Sequence, residues 1–500
     1  MNLASIIDHH PDDAVAIISR GKTTTYGQLR TQVAGFRGGL HGLGLEPGDR
    51  LAVLCANNWY FVVSYLAGLS AGLVVVPLNP MAPARELQGE LAHVGARAVV
   101  LGPSARNAFA GVDLASLGEL EHVIDCGTPD AGGRLLLDDV MAARPFPVVD
   151  RDRDDLAVLM FTSGTAGFPK AAMLSHGNLW ANIEQTGRQS GSRPDDVVLG
   201  VLPLFHIFGL NVVLGSALYA GSRLVLIERF DPASAVQSID RWGVTVAAGP
   251  PNMWSAMAAL PDVSPEQFRS IRVAVSGAAP LSPHIRQQVA DRLGVELAEG
   301  YGLTETAPTV TSSVGLPGRP GSIGRVAPGI EVRLVDDDGR DVLVGDPGEI
   351  WVRGPNVFRG YWADPDATAA ALTPDGWLRT GDVAVVDDDG FLYLVDRIKD
   401  LIIVSGFNVY PAEVEAVLAE HPGIAAAAVI GLAHPHTGET VKAYVVPAPG
   451  HSIEEDDVIA FAHERLARYK CPTKIEFTDA LPEGLGGKIV RRELRQRSDA

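Results

Sequence analysis

Hydrophobic residues fall along this chain in two rhythms. Up to about residue 320, short apolar runs alternate with longer stretches in which apolar residues recur at helical spacing. Leu51–Cys55, Leu73–Val76 and Ala98–Leu101 read as strands in the first part, and Arg223–Ile227, Val244–Ala248 and Val273–Ser276 resume the pattern further on. Uniformly apolar runs with helical segments between them predict strands buried on both faces, in mostly parallel sheets covered by helices. Beyond about residue 320 the texture changes. Glu331–Val335, Glu349–Arg353 and Phe391–Val395 are short and divided by turns such as Asp338-Gly339 and Asp389-Gly390, which predicts a small antiparallel sheet or barrel. From about residue 400, a helix over Pro411–Glu420, strands over Ala425–Ile430 and Lys442–Val446 and a basic C-terminal helix make a segment long enough to be its own domain.

Two long uncharged stretches raise the question of a membrane span. Trp59–Leu78 is long enough to cross a bilayer, but Gly68, Gly72 and Pro77 interrupt it. It predicts a buried helix, a glycine break and the strand Leu73–Val76. Val197–Leu226 holds Pro203, His206 and Arg223 and reads as broken core. An integral span is therefore not expected. Hydrophobic residues at 46% with 20% charged residues place the chain among globular proteins. A net charge of −19 argues against nucleic acid as a partner, so anionic substrates must meet local positive groups. Cys55, Cys126 and Cys471 are odd in number and far apart, giving neither a disulfide framework nor a zinc spacing. That usage, with no basic-then-apolar leader after Met1, sets the expectation of a cytoplasmic location.

The densest chemistry lies in Thr162-Ser163-Gly164-Thr165-Ala166-Gly167-Phe168-Pro169-Lys170, directly after the apolar run Leu156–Phe161. Glycines let backbone N–H groups approach an anion, hydroxyls add donors and lysine supplies a point charge. Such a loop suits polyphosphate. Five further segments stand out. They are Leu202–Leu210 with His206; the small-residue turn Ser276–Leu281; Gly300–Thr306; Thr380-Gly381-Asp382; and Asp396–Asp400 running into Ser405–Pro411. Near the end, Gly487-Lys488 lies inside Leu481–Leu494. This pair is not a Walker loop, because Pro482 stands where a glycine is required and Ile489 replaces the Ser/Thr.

In this order and at these separations, the segments resemble the adenylate-forming superfamily of acyl- and aryl-CoA synthetases, luciferases and adenylation domains. The resemblance runs from Thr25-Tyr26-Gly27-Gln28-Leu29 through Arg491-Arg492-Glu493-Leu494. It implies an N-terminal domain over residues 1–398, with two doubly wound α/β subdomains and a small β-barrel, and a mobile α+β domain over 399–500. It implies two half-reactions: a carboxylate attacks the α-phosphate of ATP with Mg2+, releasing pyrophosphate, and a thiol of coenzyme A then displaces AMP. Lys170 and the 162–167 loop would neutralise the leaving pyrophosphate. Glu305 matches the magnesium ligand and Thr304 a phosphate contact. Tyr301 would stack on adenine beside Gly302 and the Ser276-Gly277-Ala278-Ala279 turn. Asp382 would take the ribose hydroxyls, and Arg397 ribose or phosphate. Lys488 would bridge the substrate carboxylate and the α-phosphate. Lys399 matches the hinge on which the small domain turns between half-reactions, bringing Gly406 and Phe407 to the pantetheine tunnel.

Within the family, Phe205, His206 and Gly209 mark the acyl pocket, where Gly209, Gly215 and Ser276–Ala279 would leave room for a chain. No acid stands there to hold an amino-acid ammonium. The motifs most resemble those of fatty-acyl-CoA synthetases, with aryl-acid ligases as the runner-up and a carrier-protein ligase as a further alternative. Ala166 departs from the usual threonine, which removes one phosphate donor worth ~0.5–1.5 kcal/mol and predicts slower adenylation, not inactivity. Pro482-x4-Gly487-Lys488 resembles sites of reversible lysine acetylation, so a protein acetyltransferase is a candidate partner. Peripheral membrane contact through the basic C-terminal stretch and a homodimer both stay open. His434 and His436 belong to no metal-ligand cluster.

Overall fold

The computed structural model describes every residue except 128–133, 163–168, 280, 282, 337, 398–401, 410, 449, 483–490 and 499–500, and the side chains at 284, 395–397, 408, 412, 416, 491–493 and 496 also fall outside it. Among the described residues the chain forms four sheets. The first has nine strands and a parallel centre, in the spatial order Ala298–Gly302, Val273–Ser276, Val246–Gly249, Val197–Gly200, Arg223–Leu226 and Val15–Ser19. Antiparallel strands flank it: Thr309–Ser312 and Arg325–Val326 on one side, Lys22–Thr25 on the other. The second has seven strands and is parallel except for the hairpin of Leu156–Thr162 with Lys170–Ser175. These are the two doubly wound layers that the alternating pattern predicts.

Local chemistry sets the helix starts. Thr25 and Gln28 form a reciprocal cap on helix Tyr26–Gly42, as Ser175 and Asn178 do on His176–Ser190. Helix Trp59–Ser70 is apolar nearly all round, and ten of its twelve residues are buried. The chain then reverses at Gly72 and enters the strand Val74–Pro77, as the glycine break predicts. No described helix is long and apolar enough to cross a membrane.

The third sheet is antiparallel and runs Glu331–Val335, Gly348–Arg353, Leu378–Val386 and Leu392–Arg397. Among the described residues it stays an open antiparallel sheet, the first of the two forms that the turn pattern predicts, with Gly324 bridging to Leu392 on its last strand. The fourth gathers Phe407–Val409, Ile402–Val404, Gly438–Pro447, Ile424–His434 and Lys474–Phe477 around its own apolar core, which includes Val414, Leu418, Val441 and Val458.

Candidate active site

One cavity of about 1350 Å³ opens where the sheets meet, and most of the singled-out segments face it. Thr162 and Lys170 are register partners, the last pair of their hairpin before the connecting segment. Ser163, Gly164, Thr165 and Gly167, expected at the phosphates, lie outside the described residues, as do Lys399 and Lys488. Arg397 pairs with Asp382 by backbone register, and its side chain is likewise outside.

Strand Ala298–Gly302 delivers Tyr301 to the cavity, and the tight turn Thr304–Thr306 follows. Two bonds brace that turn: Phe358 N donates to the Glu305 carbonyl (2.9 Å) and Asn356 Nδ2 to the Thr306 carbonyl (2.7 Å). Tyr301 Oη donates to Asp382 Oδ2 at 2.7 Å, and both residues are buried. Asp382 is fixed from behind, because its N–H donates to Thr380 Oγ1, which itself donates to the Ile350 carbonyl. Ser276-Gly277-Ala278-Ala279, after strand Val273–Ser276, also lines the cavity, and Ala278 takes a left-handed φ of 65°. Glu305 Oε1 accepts a bond of 2.6 Å from Tyr361 Oη, and its other oxygen has no partner among the described residues. An anchored carboxylate with one open oxygen suits a hard cation such as Mg2+. Among the described residues no group of three or more His, Cys, Asp or Glu is gathered as a metal cluster.

Below this polar end the cavity turns apolar. Phe205 and His206 line it, and the chain continues as a π-helix over Phe208–Gly215. Such helices are rare and cluster at functional sites. Burial pushes the His206 imidazole down to about 4, so it is neutral at pH 7. Its Nδ1 accepts from Phe208 N, which leaves Nε2 carrying the proton. Gly209 corrects an expectation. It does not line the cavity, and a Cβ there would stand 2.2 Å from the Pro203 carbonyl oxygen, so its lost side chain admits backbone, not substrate. Gly215 likewise packs against Ile183.

The fourth sheet covers the cavity mouth. Gly406, at φ 83°, comes so close to Pro250 that an added Cβ would lie 3.1 Å from its ring. Phe407 stands edge-on to His206 (centroids 6.3 Å) and stacks on Tyr469 (4.4 Å). Helix Ala84–Val94 of the second sheet supplies the opposing surface. Lys470 Nζ donates to Glu86 Oε1 (3.1 Å) and Glu413 Oε1 (2.8 Å), Ala467 N donates to Glu86 Oε2 (3.0 Å), and Arg85 pairs with Glu420. Glu90 is buried beside them, its Oε2 without a described partner. Sequence reading missed Tyr361, Glu86, Glu90, Tyr469 and Lys470. Tyr361 lies 56 residues from Glu305 in an aromatic segment, Phe358–Trp362, that matches none of the motifs, and the acidic pair looks like a solvated helix face.

A family model for AMP-binding enzymes matches residues 4–362, and the model for their C-terminal domain matches 413–488. The chain belongs to this family. Among similar relatives, a feruloyl-CoA synthase from Amycolatopsis sp is 39% identical over 97% of this chain and 96% of that protein. A long-chain-fatty-acid–CoA ligase from Yersinia pestis is 37% identical over 97% of this chain and 91% of its own. In fold, the chain matches an amide bond synthetase from Marinactinospora thermotolerans with a TM-score of 0.88 at 32% identity, covering 99% of both chains. As an AMP-binding enzyme of this kind, the protein is an adenylate-forming CoA ligase that works with ATP, Mg2+ and coenzyme A on a small carboxylic acid.

Proposed function

We propose that the acid is elongated, apolar along its body and polar at its far end, as a hydroxylated arylalkenoic acid is. The observation that carries this is the far wall of the cavity. The apolar part follows Val246, Ala248, Val273 and Val275 from the C-terminal ends of the parallel strands to their beginnings. Four residues of strand are ~13 Å, more than a benzoate needs. Where it ends, helix His176–Ser190 gives way to strand Val197–Gly200, and the lining becomes Thr186, Ser190, Ser192 and Ser222. Thr186 Oγ1 is buried there with no described partner. A buried hydroxyl without a partner is costly, and a substrate hydroxyl or ether oxygen would satisfy it. The feruloyl-CoA synthase similarity agrees. A linear fatty acid is the second reading, favoured by the valine wall and by the fatty-acid ligase similarity.

The site residues take the roles their places support. Glu305 would hold the magnesium ion, which when bound offsets the charge of the triphosphate. Lys170 and Thr162 stand at the phosphate end, Tyr301 and Asp382 at adenine and ribose. The carboxylate oxygen forms a bond to the α-phosphorus as the bond to pyrophosphate breaks. Coenzyme A sulfur then bonds to the acyl carbon as the bond to AMP oxygen breaks. We assign Lys488 to the first step and Lys399 to the hinge on their motifs. The place of Gly406 and Phe407 on the cavity mouth suits the second step.

A panel of ferulate, coumarate, cinnamate and C8–C16 fatty acids, assayed for pyrophosphate release and CoA-dependent AMP release, tests the reading. The expected result is highest kcat/KM for the hydroxylated acids, with cinnamate weaker because it leaves Thr186 unpaired. A Thr186→Val variant narrows that gap. Fatty acids turned over faster than every aryl acid would establish the second reading instead.

A further inference from the structure

We infer that Tyr361 is a positioning residue for adenylation, holding the carboxylate of Glu305 and the ammonium of Lys170 across the phosphate end of the cavity. The inference rests on the assignment of Glu305 to the metal. Three observations converge on it. The Tyr361 hydroxyl donates to Glu305 Oε1 at 2.6 Å. The Lys170 Nζ lies over the Tyr361 ring, 5.0 Å from its centroid. The backbone around Tyr361 is tied to both partners' elements: Trp362 N donates to the Ala171 carbonyl (2.8 Å), Met173 N to the Gly360 carbonyl (2.9 Å), and Phe358 N to the Glu305 carbonyl (2.9 Å).

The physical consequence follows from what each contact restricts. A carboxylate free at both oxygens can turn about its terminal torsion and offer either oxygen, or both. Occupying Oε1 with a tyrosine proton leaves Oε2 as the open donor and fixes its direction. The negative face of the same ring attracts the ammonium, so lysine and glutamate cannot collapse onto each other across an empty site. They are instead held apart with the width of one side chain between them. Opposite charges kept separate in this way are ready for a polyanion and its cation before either arrives, which lowers the reorganisation needed at the moment of reaction. The second half-reaction involves no triphosphate, so it has no use for the bracket.

The test uses the full chain with Tyr361→Phe, which keeps the ring, and Glu305→Gln as the reference for metal loss. Mn2+ binding is read by electron paramagnetic resonance in the complex with a non-hydrolysable ATP analogue. In parallel, CoA is used to discharge a supplied acyl-adenylate of the acid turned over fastest. Y361F is expected to weaken Mn2+ binding roughly tenfold to a hundredfold, as loss of an outer partner of a metal ligand does. Discharge of the supplied adenylate stays at the parent rate, which also shows that the variant is folded. Mn2+ affinity unchanged in Y361F but lost in E305Q would overturn the role of Tyr361 alone. Affinity unchanged in both would remove the metal assignment of Glu305 itself. Equal slowing of both half-reactions would reduce Tyr361 to a structural residue and likewise overturn the inference.

Discussion

Tyr301 and Asp382 illustrate how a small motif acquires weight from its neighbours. Gly-Tyr-Gly and Thr-Gly-Asp are ordinary turn sequences when read singly. In the fold they come from two different sheets, and the tyrosine hydroxyl donates to a buried carboxylate. Hydrogen bonds to charged groups are worth about 1.5–3 kcal/mol. Tyr301→Phe should therefore raise KM for ATP roughly tenfold to a hundredfold, measured in the pyrophosphate-release assay, with the CoA step on supplied adenylate little changed. His206 gives the opposite lesson. Its solitary place among Phe205, Ile207 and Phe208 suggests a pocket residue, and its neutral state comes from burial alone. A residue's type was legible in the chain, but its charge was not, because charge depends on what encloses it.

At the scale of elements, the chain announces most of its architecture. The glycine break after Trp59–Ser70 and the alternation of strand and helix are both local signals, and both appear where the pattern puts them. What could not be read was any feature set by contact between distant segments. The π-helix Phe208–Gly215 is one, since its sequence is simply apolar. Gly209 is another. Spacing alone makes it look like a gap for substrate, whereas the Pro203 carbonyl occupies that gap. Gly209→Ala should cost about 1–3 kcal/mol of stability through overpacking, read as a lowered denaturation midpoint. If the glycine instead served only to admit acyl chain, the same variant would keep its midpoint and shift chain-length preference.

At the scale of the whole molecule, one helix carries the charged part of the junction with the fourth sheet. Ala84–Val94 meets the fourth sheet through Arg85–Glu420 and through Glu86, which shares Lys470 with Glu413. Glu90 lies in the same buried pocket, facing Glu86 on its own helix and Glu413, Lys470 and Tyr469 opposite. Burial first, then the neighbouring carboxylates Glu86 and Glu413, raise the Glu90 carboxyl well above its usual range, with Lys470 opposing. Burial raises Glu413 as well. A carboxyl raised in the docked arrangement binds more protons there than when exposed. Its contribution to docking is complete below the ordinary carboxylate range and falls away as pH rises through the raised value. The docked population should thus shrink on going from acid to alkaline buffer, followed by fluorescence energy transfer between dyes on the two units. Glu90→Gln should flatten that dependence. An unchanged slope in the variant would discount Glu90 as its source.

If docking recurs in each turnover, Glu90 makes it a small act of breathing. The chain would inhale a proton from the medium when the helix and the fourth sheet meet, and exhale it when they part. The catalytic chemistry itself does not demand that exchange. Solvent acidity would then set how long the molecule lingers in one posture, independently of how fast any bond is made, and the tempo of the cycle would be tuned from the rim of the cavity itself.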